Sequence, residues 1–151
     1  MTESIQSNLN LQLKVLWLSM LASPVALWIA LVAMDKLSAL PEIQFEYSEY
    51  AFYTGLLLIL PAAVLLRLFK TANKNYLLDR QPAVQLNKKA FDKLKKELIL
   101  GMAVADIPAT LSLVYYLMSG DLEKSILLVG SSFILCFLFK PELQRVHQEL
   151  S

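Results

Sequence analysis

The sequence predicts an all-α fold: an integral membrane four-helix bundle with short loops and both termini in the cytoplasm. Three observations lead there. Hydrophobic residues make up 56% of the 151, against roughly 45–50% in ordinary soluble domains. The excess is gathered into four blocks separated by charged or polar residues. Basic residues collect in alternate connecting segments, the pattern that orients membrane proteins. Helices are the spanning form such blocks can take. Backbone polar groups in lipid must be bonded within the segment or in a closed barrel, and the blocks lack barrel-type alternation.

Span one covers about residues 13–34, with Lys14 near its start. The preceding Met1–Gln12 is polar and has no basic n-region, and the apolar run after it is too long for a signal-peptide core, so span one is expected to remain as an anchor. Span two covers about 51–69, with Arg67 near its end. Span three covers about 98–118. Span four is the shortest: the uncharged stretch Ile126–Phe139 makes about 21 Å of helix. Reaching toward a hydrocarbon core of roughly 30 Å requires about residues 122–140, with Glu123 and Lys124 at the interface; a tucked or re-entrant segment is the alternative. Pro24, Pro61 and Pro108 fall inside spans one, two and three, where each removes one backbone hydrogen bond. Laying Pro24–Met34 over Pro108–Met118 aligns a proline, a leucine and a methionine, which suggests a parallel internal repeat.

The cytoplasmic linker, about 70–97, carries Lys70, Lys74, Arg80, Lys88, Lys89, Lys93, Lys95 and Lys96, with Arg67 just before it, and the tail adds Lys140 and Arg145. The loop after span one holds Asp35, Glu42, Glu46 and Glu49 against Lys36, and the loop after span three holds Asp121 and Glu123 against Lys124. The positive-inside rule then gives a multi-pass protein of a bacterial inner (cytoplasmic) membrane, N-in and C-in. Tyr50, Tyr53, Tyr115 and Tyr116 stand where interfacial aromatics are expected.

Asn87–Glu97 is rich in helix formers and leads into span three as a helical extension, with Phe91, Leu94 and Leu98 on one side and lysines around the others. These lysines either flank the membrane in the ordinary way or attract anionic lipid or an acidic partner. The outer loop Leu37–Glu49 is a solvated acidic turn or a docking strip. Pro141–Ser151 is expected to form a short interfacial helix through Leu143, Val146 and Leu150. His147 reads as a solvated surface histidine.

The chain contains no glycine-rich phosphate loop, no His–Glu–His metal spacing, no Cys-x-x-Cys and no nucleophile elbow. Cys136 is the single cysteine, so no intrachain disulfide forms. The expectation is a chain that is not an enzyme, with no catalytic residue, metal, cofactor or nucleic-acid partner. What remains is Asp106. An acid at the centre of a span costs roughly 2.5–3.5 kcal/mol on insertion scales and needs a partner, a proton or a watery path. Pro108 cannot donate to the carbonyl of Val104, and Thr110 lies one turn from Asp106 on the same face, in reach of its carboxyl. Asp106, Pro108 and Thr110 are therefore the candidate polar or ion-handling site. Small residues form a second pattern: Gly101, Ala105, Pro108, Ala109 and Ser112 on span three, and Ser19, Ala22, Ala26, Ala30 and Ala33 on span one. Such stripes let helix backbones approach in lipid, so spans one and three are expected to touch.

The stretch Gly101–Met118, with small residues, an acid and then a long aliphatic run after a cytoplasmic loop, resembles the carboxylate-bearing helix of the rotary ATP synthase proteolipid, subunit c. In that family the acid binds the transported proton or sodium ion, and the resemblance implies that role for Asp106 alone. It covers about twenty residues; the preceding span of subunit c is built on repeated glycines, whereas span two here has only Gly55. As a whole the chain resembles the small multi-pass proteins of bacterial membranes. The expected function is an accessory or structural subunit of a larger inner-membrane assembly, its partners being the lipid bilayer and other membrane subunits or further copies of itself. The alternative is a proton- or cation-handling membrane subunit using Asp106.

Overall fold

The computed structural model describes residues 2–37, 47–78 and 84–141, with side chains over 10–37, 47–75 and 90–141. The outer acidic loop, the C-terminal tail with His147, and the side chains of Lys88 and Lys89 lie outside the described residues. Five helices form four rods: α1 (Thr2–Lys36), α2 (Ser48–Leu57), α3 (Ile59–Leu78), α4 (Val84–Ser119) and α5 (Leu122–Leu138). There is no strand among the described residues.

α1 and α4, of 35 and 36 residues, are each about 53 Å long, well beyond a hydrocarbon core of roughly 30 Å. Both therefore run past the apolar layer. The linker expected over 70–97 is mostly helix: α3 continues to Leu78, and Asn87–Glu97 belongs to α4. Span two is one rod made of two helices, α2 and α3, parted at Leu58. Pro61, in the first turn of α3, has no N–H for the carbonyl of Leu57, so the ladder lapses there. Leu58 keeps near-helical angles, φ −71° and ψ −11°, and its N–H donates to the Thr54 carbonyl at 3.1 Å. The two helices thus run on into one another across Leu58. Pro24 and Pro108 leave α1 and α4 continuous; both are fully buried, where packing holds the helix through the missing bond.

α4 ends on Gly120, whose φ of +69° suits a residue without Cβ. Its N–H donates to the Tyr116 carbonyl at 2.8 Å. Asp121 then caps α5, its carboxylate accepting from the Lys124 N–H at 3.2 Å. This tight turn makes α4 and α5 antiparallel neighbours. They form the middle of the bundle. α1 packs against both on one side, and α2–α3 pack against them, chiefly α4, on the other. α1 and α2–α3 scarcely meet. The two hairpins suggested by the internal repeat are thus packed differently: the second is closed, and the first is held open around it.

The span-three stripe faces inward: Gly101, Ala105, Pro108, Ala109 and Ser112 are all buried. The span-one stripe requires a correction. Ser19, Ala22, Ala26 and Ala33 are exposed and Ala30 is half-buried. α1 does pack on α4, but through Leu13, Trp17, Pro24 and Leu31. The reason is complementarity: bulky side chains of one rod fill the space left by small ones on another, so two smooth faces are not needed. Tyr115 and Tyr116 also differ from the belt expected of them. They are buried, while Tyr50 and Tyr53 remain exposed.

The exterior is greasy. Leu57, Leu60, Val64, Leu127 and Ile134 are each more than 60% exposed, the reverse of a water-soluble surface. Asn10–Lys36, Ser48–Asn75 and Ala90–Ser119 are long and apolar enough to cross a membrane. The 17 residues of α5 make about 25 Å. Within the apolar window of the α4 stretch 44% of residues are buried, against 17% in each of the other two, which marks α4 as the central rod.

A Cβ at Gly101 would collide with the ring of Phe139, itself fully buried against Phe69. A Cβ at Gly130 would meet open space. Gly101→Ala is expected to destabilise the bundle by about 1–3 kcal/mol through overpacking, whereas Gly130→Ala is neutral or mildly stabilising. Thermal unfolding of the two purified variants in one detergent checks the contrast.

A carboxyl between two proline-bearing helices

α1 and α4 run side by side with Pro24 and Pro108 buried in their middles. Ser23 immediately precedes Pro24, and Asp106 lies two residues before Pro108. The packing brings these polar groups together. The Ser23 hydroxyl donates to Asp106 Oδ2 at 2.7 Å. Asp106 is half-buried as a residue, but its Oδ1 is enclosed and has no hydrogen-bond partner. An enclosed carboxylate oxygen without a donor is unfavourable in a medium that cannot solvate it. A proton on that oxygen, or a small cation beside it, is the chemistry this arrangement can accept.

α5 closes the other side. The Ser132 hydroxyl donates to the Ala105 carbonyl at 2.6 Å, joining α5 to α4 one residue from Asp106. Cys136, one turn along α5, is buried. Trp17 of α1 donates its indole N–H to the Cys136 carbonyl at 3.0 Å. Three rods are therefore tied by polar contacts around one depth of the bundle. Other hydroxyls fold back onto their own helices: Ser19 donates to Leu16, Ser112 to Ala109 and Ser131 to Leu128. That satisfies their protons without linking rods.

Of the residues singled out in the sequence, Asp106 and Pro108 sit in this site and Thr110 does not. Thr110 is exposed. It shares a face with Asp106, but that face rotates out of the bundle within one turn, and Ser23 takes the place assigned to it. Ser23 and Trp17 were missed. A signal for Ser23 was available: in the repeat register Ala22 falls on Asp106, so the hydroxyl next to it lies at the acid's depth. Asn10 and Asn73 also have enclosed side-chain oxygens without partners, each on a different part of the bundle. No group of three or more His, Cys, Asp or Glu among the described residues is arranged to hold a metal ion.

A second polar cluster closes the opposite, acidic end. Lys124 Nζ of α5 pairs with Glu49 Oε1 of α2 at 2.7 Å and lies 4.0 Å from Asp121 Oδ2. The Tyr115 hydroxyl is 3.3 Å from Glu49 Oε1 and 3.4 Å from Asp121 Oδ2. The Lys124 ammonium also lies 5.5 Å from the Phe52 ring centroid. Tyr116, the next residue of α4, reaches the other way and donates to Asp35 Oδ1 of α1 at 3.3 Å. Adjacent tyrosines thus fasten the two flanking rods to α4.

Comparison with protein-family models, with curated proteins and with solved structures finds no match.

Ser23→Ala removes the donor to Oδ2 and is expected to cost about 0.6–1.7 kcal/mol, the range for interhelical hydrogen bonds in membranes. The same loss should persist in an Asp106→Asn background, because the amide carbonyl still accepts from Ser23. Thr110→Val should leave stability unchanged. Unfolding free energies of the four variants, measured as a double-mutant cycle with one control, check these expectations.

Proposed function

We propose that this chain is a multi-pass subunit of a bacterial inner membrane, with both termini and the 70–97 linker cytoplasmic, and that it serves as an accessory or structural component of a larger membrane assembly. The observation carrying the structural role is the use made of polar groups inside the spans. Ser23–Asp106, Ser132–Ala105 and Trp17–Cys136 each join one rod to another. The orientation is supported by the two ends of the bundle. Arg67, Lys70, Lys74, Lys93, Lys95, Lys96 and Lys140 belong to the end at which α3 finishes and α4 starts, while Asp35, Glu49, Asp121 and Glu123 belong to the other. The outward, smooth face of α1 at Ser19, Ala22, Ala26 and Ala33 offers a neighbouring helix close approach.

One observation favours a second reading, a proton- or cation-handling subunit: the enclosed, unpartnered Oδ1 of Asp106. This is also the role implied by the likeness of span three to the subunit c helix. A single acid with one hydroxyl neighbour binds and releases one ion, and a route to either side of the membrane is then supplied by partner subunits.

Purification of the tagged full chain in mild detergent should recover other membrane subunits, or further copies, in fixed stoichiometry. Ala22→Leu with Ala26→Leu should weaken that association at least severalfold without altering the unfolding temperature of the chain itself. A monomer unaffected by these substitutions would remove the first reading. For the second, carbodiimide labelling of Asp106 should rise as pH falls, and proton flux in proteoliposomes of the intact assembly should disappear in Asp106→Asn. Unchanged flux would leave Asp106 as a helix-joining group.

A further inference from the structure

We propose that the outer face of α3 at the basic end of the bundle is a binding site for the phosphate headgroup of an anionic phospholipid. Arg67, Lys70 and Lys74 lie at three- and four-residue spacing and so share one side of the helix. All three are exposed. Together with Thr71 and Asn75 they line an open groove of about 710 Å³ whose remaining walls are Ala63 and Leu66. The buried face of α3, through Ala62, Phe69 and Asn73, is turned toward the bundle, so the groove faces outward.

Two features point to a lipid. The first is charge. None of the three cations has a carboxylate partner among the described residues, where the ion pairs formed all involve Lys124. Three cations in one groove with no carboxylate partner among the described residues attract an anion with two or more accepting oxygens, and arginine supplies a fork suited to phosphate. The second is order along the helix. Ala63 and Leu66 come first, on the membrane side, then Arg67, Lys70, Thr71 and Lys74 over roughly 10 Å. Apolar wall followed by cationic wall matches acyl chain followed by phosphate, whereas a soluble anion has no use for the apolar part. The Thr71 hydroxyl donates to the Arg67 carbonyl at 2.9 Å, so its proton is committed to the backbone and the three cations address the phosphate. The leaflet assignment, the cytoplasmic one, rests on the orientation proposed above; the site itself does not.

The test is lipid titration of the detergent-solubilised full chain, read by native mass spectrometry with phosphatidylglycerol, phosphatidylcholine and inorganic phosphate as probes. Each basic residue near a membrane surface contributes about fivefold in binding. Arg67→Gln/Lys70→Gln/Lys74→Gln should therefore weaken phosphatidylglycerol binding by at least about tenfold, and phosphatidylcholine should bind weakly to both proteins. Lys93→Gln/Lys95→Gln/Lys96→Gln removes the same charge from α4, at residues that do not line the groove, and should change binding much less. Equal weakening by the two triple variants would overturn the proposal in favour of diffuse attraction. Displacement of phosphatidylglycerol by inorganic phosphate at similar concentration would overturn it in favour of a free-phosphate site. If the triple variant fails to fold, Arg67→Gln and Lys70→Gln singly should each show about the fivefold step, and absence of that step overturns the proposal. Binding in detergent is indifferent to orientation, which cysteine accessibility at residue 74 reads separately in intact cells.

Discussion

The close approach of α5 to α4 is the constraint on which the other contacts depend. Lipid tails are as apolar as leucine, so no hydrophobic drive presses helices together once they are inserted. Dispersion and a few polar bonds must do it, and dispersion falls off within an ångström of gap. Gly101 gives room for Phe139, Ala105 lets the Ser132 hydroxyl reach its carbonyl at 2.6 Å, and Ala109 lies in one buried cluster with Val129, Leu31 and Tyr116. With α4 and α5 in contact at these points, α1 gains a composite surface to pack on. Its Trp17 then reaches a carbonyl of α5 while its Ser23 reaches a carboxyl of α4.

The ends of the bundle are held differently from its middle. At the acidic end the ties are ionic and phenolic, and Glu49 and Lys124 are partly in solvent, with side-chain exposures of 45% and 38%. Such a pair, open to solvent on both partners, contributes little. At the basic end the ties are apolar: Leu13, Phe69, Phe91, Leu94 and Phe139 form one cluster with Trp17 and Cys136. This cluster draws on α1, α3, α4 and α5 together, so all four rods are joined at the end from which α1, α3 and α4 extend.

The class of fold was legible because it rests on composition and block length, which tertiary detail does not alter. The same holds for the continuity of Asn87–Glu97 with span three, since no breaker intervenes. The α4 stripe could be read because Gly101, Ala105, Ala109 and Ser112 recur at helical spacing, and all four are buried. The α1 stripe misled for a physical reason. Spacing shows which residues share a face, but in a membrane both faces of a helix are apolar, so hydropathy does not say which is inward. Trp17 and Pro24 were the better guides, being the residues whose polar or missing groups need company. The same ambiguity hid the Asp106 partner. Local spacing offered Thr110, on the acid's own helix, while the donor used is Ser23, 83 positions away.

Magnitudes separate what Asp106 does for stability from what it does otherwise. Its hydrogen bond with Ser23 is of a kind worth about 0.6 kcal/mol on average in membranes. Placing an acid at that depth costs roughly 2.5–3.5 kcal/mol. The bond therefore does not offset the residue, and a serine, threonine or asparagine at position 106 would accept from Ser23 with less to desolvate. Of its two oxygens one is used, and the other is enclosed without a donor. Helix joining accounts for Oδ2 alone. Oδ1 is left without a donor, as are the enclosed side-chain oxygens of Asn10 and Asn73, and it is the one of the three that belongs to a carboxyl group.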